Sequence, residues 1–516
     1  MITQESSAPL SHRQILVVFS GLLLAMLLAS LDQTIVGTAL PTIAGDLGGL
    51  THLSWVVTAY LLASTAATPL WGKIGDLYGR KTVLLIAIVI FLSGSALCGL
   101  AWSLGALIAF RAFQGLGAGG LMALAMAIVA DLVAPRERGR YQGYIQAVFV
   151  LASVAGPLLG GAIVDHLSWR WIFYVNLPIG AIALLVIGAV LRLPVQRTRH
   201  RLDFAGAALL VAAVVALLMI TVWGGSQYAW SSPQIIGLAA GGLLLLGAFL
   251  RQEQRAPEPV LPLRLFRDPV FSVVSVALFL GTCALFAANV FLPLFLQVAT
   301  GASPTDAGLL LLPLMAGIAI TSVGTGRLIT RTGRYKIFPV LGFALMSAGL
   351  VLLSRLNAHT AQALIELDMA VFGLGFGMVT QVLVLAIQNA VDRRDLGTAT
   401  ASANFFRALG GAVGVPIFGA VFADRVRYWL PRHVPARVLG HLDPSALQAS
   451  PGTIRSLPPA VRDGVAQAVA QATGTVFLVA APIAALGFLV VLFLNEYPLR
   501  TAAPAAAESE RQRAAG

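Results

Sequence analysis

Runs of about 20 apolar residues, the length that crosses a bilayer as a helix, recur from one end of this chain to the other. We count fourteen of them, at 14–39, 54–72, 82–101, 105–130, 141–164, 171–191, 204–223, 234–250, 270–296, 306–326, 337–354, 363–388, 398–422 and 474–495. A water-soluble domain carries charge at about 25% of its positions. Here 11% of 516 residues are charged and 58% are hydrophobic, which excludes a soluble core. Inside a bilayer every backbone N–H and C=O needs an internal partner, so the expected fold is an all-α integral membrane protein. The first run is too long for the apolar part of a signal peptide and lacks a small-residue cleavage site, so it should stay as a helix.

Charge sets the orientation. The net charge of +12 would suit nucleic acid, but the cations cluster in alternate loops, as topology signals do. Twenty-four Lys and Arg fall on the side of the amino terminus, whereas the short loops opposite carry Arg170 and Arg355. With an even number of spans, both termini are expected in the cytoplasm of a multi-pass protein of the cell (inner or plasma) membrane. The segment 423–473, rich in Pro, Ala and Arg, is the one sizeable piece outside the bilayer. It reads either as a passive surface loop or as a cap on which a periplasmic adaptor docks, with 456–462 able to start a short amphipathic helix. Residues 500–516 are expected to form a disordered cytoplasmic tail. Cys98 and Cys283 sit in separate apolar runs and the seven histidines are scattered, so neither a disulfide nor a metal site is expected.

An internal repeat divides the chain. Gly115-Leu116-Gly117-Ala118-Gly119 in span 4 is echoed 258 residues later by Gly373-Leu374-Gly375-Phe376-Gly377 in span 12. The same offset sets Gly139 on Gly397 and Gly156 on Gly414. Two copies running in one sense, each about six helices long, give a parallel pseudo-symmetry. The expected organisation is an N-terminal six-helix bundle (1–200), two inserted membrane helices (201–268) and a C-terminal six-helix bundle (269–499).

A charge in the bilayer costs about 2.5–3.5 kcal/mol on insertion scales, so each one calls for a reason. Asp32 in span 1 has no basic residue within a turn in sequence. It reads as a protonatable carboxylate facing a central cavity, the alternative being a structural carboxylate satisfied by hydroxyls or an arginine. Arg111 in span 4 lies at a comparable depth, with Gln114 and Gly115 at i+3 and i+4 on its face. It is a candidate partner of Asp32, or else a cation that snorkels to the interface. Span 5 carries Gly156-Pro157-Leu158-Leu159-Gly160-Gly161, where proline removes a helix hydrogen bond and glycines permit a bend. Between spans 2 and 3, Gly72-Lys73-Ile74-Gly75-Asp76-Leu77-Tyr78-Gly79-Arg80-Lys81 reads as a tight glycine loop with one carboxylate and three cations. A weaker copy at 326–334 has Thr330 in place of Asp76. Gln33, Gln114, Gln146, Asn289, Gln381 and Asn404, with Phe295, are candidates to line a substrate cavity, as is Arg407. Hydrogen bonding and packing between helices are the alternative for each. Glu366 and Asp368 are expected at the interface.

These stretches resemble a known family. The 72–81 stretch is similar to the signature loop between helices 2 and 3 of the major facilitator superfamily, with Leu77 where a basic residue is frequent. Arg111-x-x-Gln114-Gly115-x-Gly117 resembles that superfamily's helix 4 motif. The Asp32 stretch resembles the helix 1 motif of its fourteen-helix drug:proton antiporters, with Gly37 where Asn is usual. Gly156-Pro157-x-x-Gly160-Gly161 resembles the helix 5 motif of exporters, with Ala152 for the leading glycine. The resemblance implies the major facilitator fold and a proton-coupled antiporter that exports amphipathic small molecules such as drugs or antibiotics. It implies that Asp32 and Arg111 serve proton coupling. It also implies that Gly72, Asp76, Gly79, Arg80 and Lys81 close the contact between bundles on the cytoplasmic side, and that the helix 5 bend serves export. No cofactor is expected beyond the proton gradient, since no Gly-x-x-x-x-Gly-Lys-Ser/Thr loop is present to bind ATP. The expected partners are substrate and lipid, with a monomer as the functional unit. A dedicated exporter of an endogenous metabolite would share every one of these features. An integral-membrane enzyme should instead show a His/Asp or acidic metal cluster at one face, and a passive channel would not need both Asp32 and the repeat.

Overall fold

The computed structural model describes residues 12–47, 54–133, 135–191, 203–224, 227–257, 259–302, 304–392, 395–434 and 458–499. Its first nine helices are α1 (His12–Leu47), α2 (Ser54–Tyr78), α3 (Arg80–Gly99), α4 (Leu104–Leu132), α5 (Pro135–His166), α6 (Trp171–Tyr174), α7 (Asn176–Val190), α8 (Phe204–Trp223) and α9 (Pro233–Arg255). A 3₁₀ turn at Leu263–Arg267 precedes α10 (Pro269–Ala299), α11 (Pro304–Leu310), α12 (Leu312–Thr332), α13 (Ile337–Leu353), α14 (Gln362–Ala390), α15 (Leu396–His433) and α16 (Pro459–Leu492). Each apolar span falls on one helix or a broken pair; α6 with α7 make the sixth, α11 with α12 the tenth. Among the described residues, twelve such segments are long and apolar enough by themselves to cross a bilayer, while α13 is shorter. Local chemistry fixes several starts. Ser103, Asp203, Ser232 and Asp268 cap α4, α8, α9 and α10 through side-chain oxygens that accept backbone N–H groups, and Pro233 and Pro269 occupy the first helical position. Leu185, Leu243 and Leu244 are exposed on α7 and α9, as a lipid-facing surface requires.

Among the described residues, packing gathers the helices into two groups, α1–α7 and α10–α16. In the first, α4 packs on α2 and α3, and α1 on α5 and α7; in the second, α14 packs on α12 and α13, and α10 on α15 and α16. The glycine repeat is the means of this packing. A Cβ at Gly115 or Gly119 would strike the α2 backbone and one at Gly117 the α3 backbone. In the second half Gly373 and Gly377 approach α12 in the same way, and Gly375 approaches α13. The halves meet where α2 packs on α15 and α5 on α12. Helices α8 and α9 pack on each other outside both groups, and α8 touches both α2 and α15. There Leu210, Val214 and Leu218 share one apolar cluster with Leu62 and Ala66 of α2 and Phe405 of α15.

Two expected loops are helical instead. Residues 72–78 continue α2, and the turn to α3 is made by Gly79 alone, at φ 91° and ψ 123°. Only Gly79 in this stretch needs glycine's backbone freedom. Gly79→Ala should therefore cost about 1–3 kcal/mol of strain, read as a lowered unfolding temperature in detergent. An unchanged midpoint would mean that the turn is made elsewhere.

The second correction concerns 423–473. Helix α15 runs on to His433 and α16 begins at Pro459, so 459–462 opens the last membrane helix rather than a separate one. The cause is an i, i+4 apolar stripe hidden among charges. Phe418, Phe422, Val426, Leu430 and Val434 are buried on α15 and the residue after it, and Val461, Val465 and Val469 are buried on α16. The two helices pair closely at their ends, where a Cβ at Gly464 would meet the His433 carbonyl. His433 Nε2 also lies 3.1 Å from Gln471 Oε1. Residues 435–457 and the 500–516 tail lie outside the described residues.

Candidate functional site

Two polar centres stand out, one inside the first half and one on the seam between halves. The first is built on Asp32, which is 0% exposed. Its Oδ2 accepts from Arg111 Nη1 at 2.6 Å. Its Oδ1 accepts from Gln114 Nε2 at 2.9 Å and from Asn176 Nδ2 at 2.8 Å. Arg111 also donates to Gln114 Oε1 at 2.8 Å and to the Val56 carbonyl at 3.2 Å, with its guanidinium 4.1 Å from the centre of the Tyr60 ring. Asn176 reaches Ser95 Oγ at 2.9 Å, which donates to the Phe173 carbonyl at 2.8 Å. A carboxylate, a guanidinium and two amides thus join α1, α3, α4 and α7 with nearly every donor and acceptor met, as burial of charge demands.

This placement corrects two expectations. Asp32 does not face a central cavity, because its helix turns it into the bundle, and Gln114 belongs to its network rather than to a cavity wall. Asn176 and Ser95 were not singled out from the sequence, although an asparagine in an apolar run was a signal that could have found Asn176.

The second centre is at the face carrying the α2–α3 turn, called here the basic face. Asp76 Oδ1 accepts from Arg80 Nη2 at 2.8 Å and Nε at 3.2 Å. Its Oδ2 accepts from the backbone N–H of Thr398 at 2.7 Å and from the Thr398 hydroxyl at 2.9 Å. One oxygen is therefore held by its own half, the other by the first turn of α15 in the opposite half, where a helix N-terminus favours an anion. Arg80 is completed by Asp131 and by the Ala127 carbonyl at 3.0 Å. Lys81 donates to the Gly188 carbonyl at 2.8 Å. Glycines let the halves touch: a Cβ at Gly72 would lie 2.2 Å from Ala401 Cβ, and one at Gly397 would lie 2.0 Å from Asp76 Oδ1. The seam is closed on this face. Thr398 and Asp131 are the partners that the sequence left unmarked.

The remaining candidates scatter. Gly156 of α5 lies against Thr34 of α1, whose hydroxyl donates to the Ala152 carbonyl at 2.9 Å. Gly160 is buried and Gly161 half-buried. The side chains of Pro157 and Gln146 lie outside the described residues. Gln33 and Asn289 are exposed. Gln381 and Asn404 are buried in the second half. Phe295, 0% exposed, is packed in the core and does not line a cavity, because α10 turns it toward the other helices of its half.

The family model for the Major Facilitator Superfamily matches residues 22–415. The chain belongs to that superfamily. Among its relatives, the multidrug transporter MdtP of Bacillus subtilis is 41% identical over 415 residues, covering 80% of this chain and 76% of that one. Multidrug resistance protein 3 of the same organism is 35% identical over 493 residues, 94% and 96% of the two chains. The fold of this facilitator is similar to that of the xylose symporter XylE, with a TM-score of 0.60 at 13% identity over 91% of this chain and 95% of that one. The chain is thus a facilitator-superfamily transporter and not an enzyme, with relatives named as a multidrug transporter and a multidrug resistance protein.

Proposed function

We propose that this transporter is a proton-coupled antiporter that exports amphipathic small molecules by alternating access. It does so from the cell membrane, with both termini and the basic face in the cytoplasm and the monomer as the functional unit. The proton gradient is its energy source. The exporting direction is supported by relatives named as efflux pumps, 36–38% identical over 82–94% of this chain, and the orientation by the clustering of cations.

The observation that carries the coupling is the Asp32 network. An ionised carboxylate only accepts hydrogen bonds, and this one accepts three, one of them from a cation. A proton on Asp32 removes the charge that holds Arg111 and turns one oxygen into a donor facing donors. The bonds joining α1 to α4 and α7 then weaken. Two residues along α1, Thr34 is bonded to α5, and α5 meets α12 of the other half. Protonation is thereby linked to the seam. Protons taken from outside would favour return to the inward-facing state, and their release to the cytoplasm would accompany substrate loading.

The test is substrate-induced proton release from everted vesicles, across a panel of lipophilic dyes and antibiotics, for wild type and Asp32→Asn. Asparagine keeps the shape and one acceptor but cannot be ionised. The expected outcome is proton movement in wild type and none in the variant, which still binds substrate. Equal proton release from both would remove Asp32 from coupling.

A further inference from the structure

Arg80 at the basic face and Arg111 at depth each have a full set of partners. Arg80 holds Asp76 and Asp131, and Arg111 holds Asp32. Arg407 on α15 is different: no carboxylate among the described residues lies within ion-pair distance of it. The ring of Phe149 on α5 has its centre 5.8 Å from the guanidinium carbon. The helices packed against α15 offer no free anion at this level. Helices α8 and α10 contain no acidic residue. Asp76 and Asp131 are held by Arg80. Glu366 and Asp368 stand in the first two turns of α14, and Asp463 lies at the start of α16.

Position explains why this matters. The offset that superposes the two halves is 258 residues, and 149 plus 258 is 407. Phe149 and Arg407 are therefore equivalent positions of the repeat, and they lie next to each other. Two equivalent residues can meet only close to the pseudo-two-fold axis that relates the halves. Arg407 is eleven residues from the start of α15, about 16 Å along the axis at 1.5 Å per residue. Phe149 is fourteen residues from the start of α5, about 21 Å by the same measure. Both values fall near the middle of a hydrocarbon core about 30 Å thick. On the same face, one turn before Arg407, Asn404 spends its amide N–H on the Thr400 carbonyl of its own helix at 3.0 Å. Its Oδ1 is buried without a partner.

We infer that Arg407 is the recognition point for an anionic group, so that the transported compounds are amphipathic molecules bearing a carboxylate or sulfonate. This deepens the exporter reading given above and rests on it. A bilayer-depth cation at the axis between moving halves lacks the counter-ion that such a site needs, and the compound in transit supplies it. The guanidinium fork matches a carboxylate or sulfonate through paired N–H donors. Phe149 offers the apolar body of the same molecule a ring to lie on, and Asn404 Oδ1 accepts from a hydroxyl or N–H next to the anionic group. A cationic compound would meet Arg407 as a like charge.

Equilibrium binding to the full chain in nanodiscs tests this, with no ion gradient. Three probes differ only in head group: 1-pyrenebutyrate, 1-pyrenebutanamide and a pyrenebutyl trimethylammonium salt, followed by energy transfer from tryptophan. Wild type should bind the butyrate about tenfold more tightly than the amide, with the ammonium weakest. Arg407→Gln should bring butyrate and amide together while leaving the amide unchanged, and Arg407→Lys should keep most of the preference. A preference that survives in Arg407→Gln overturns the assignment, as does a wild type that ranks the probes equally or binds none of them. Failure of proton coupling at Asp32 would leave this readout untouched, so the two readings fall separately.

Discussion

Gly397→Val should abolish transport while leaving the protein folded. The space for a side chain at this position is already filled by Asp76, with Oδ1 2.0 Å and Cγ 2.6 Å from where a Cβ would stand. Contacts under about 3 Å force something to move, and the Asp76 carboxylate cannot move without giving up Thr398 or Arg80. The halves would be wedged apart on the basic face, yet each half keeps its own glycine-packed interior. A single cysteine introduced as Ala401→Cys reports this directly, since Ala401 is buried beneath the seam. A membrane-impermeant maleimide applied from the basic face should label it at least about tenfold faster in the Gly397→Val background, the same factor expected for transport loss if closure is required in each cycle. Unchanged labelling together with normal transport would mean that the carboxylate yields at little cost.

Arg111→Leu and Asp32→Leu should each destabilise the protein strongly, by about 3–5 kcal/mol, while the double variant recovers much of that loss. Removing either partner leaves a buried charge without its counter-ion among residues that are 0–1% exposed. Removing both leaves Gln114 and Asn176 with fewer partners but no bare charge. Thermal unfolding of the four proteins in detergent, treated as a double-mutant cycle, measures the coupling. Additive losses would show that the pair does not interact as the geometry has it. The same double variant should have no proton-driven transport, which separates the ion pair's part in holding the fold from its part in coupling.

Much of this architecture was legible because lipid imposes a crude rule: helices long enough to cross, apolar wherever they face hydrocarbon. The rule fails where a helix end packs on protein. Residues 73–78 and 424–433 carry Lys73, Asp76, Asp424, Arg425 and Arg427, so hydropathy ends the span early there although the helix goes on. Intramembrane charge also marked Asp32 and Arg111 as candidate partners, and the structure pairs them at 2.6 Å. Which way Asp32 faces was not legible, because a helix that is apolar on nearly every side gives no stripe from which to read its inner face. Partners that act through the backbone or through a plain hydroxyl, such as Thr398 and Ser95, leave no sequence signature of their own. Phe295 shows the opposite failure, since an aromatic in a membrane helix looks the same whether it meets substrate or other helices.

The pair α8 and α9 makes the molecule lopsided. On the α2–α15 flank, Val214 and Leu218 lie in one apolar cluster with Leu62, Ala66 and Phe405 and lay a third helix across the line where the two halves meet. Among the described residues, α8 and α9 make no comparable packing on the α5–α12 flank. A molecule diffusing in the bilayer toward the line between the halves therefore meets α8 on one flank and α5 and α12 themselves on the other. If the halves rock as the proposed cycle requires, α8 has to follow both α2 and α15 on that flank, since it packs on each of them.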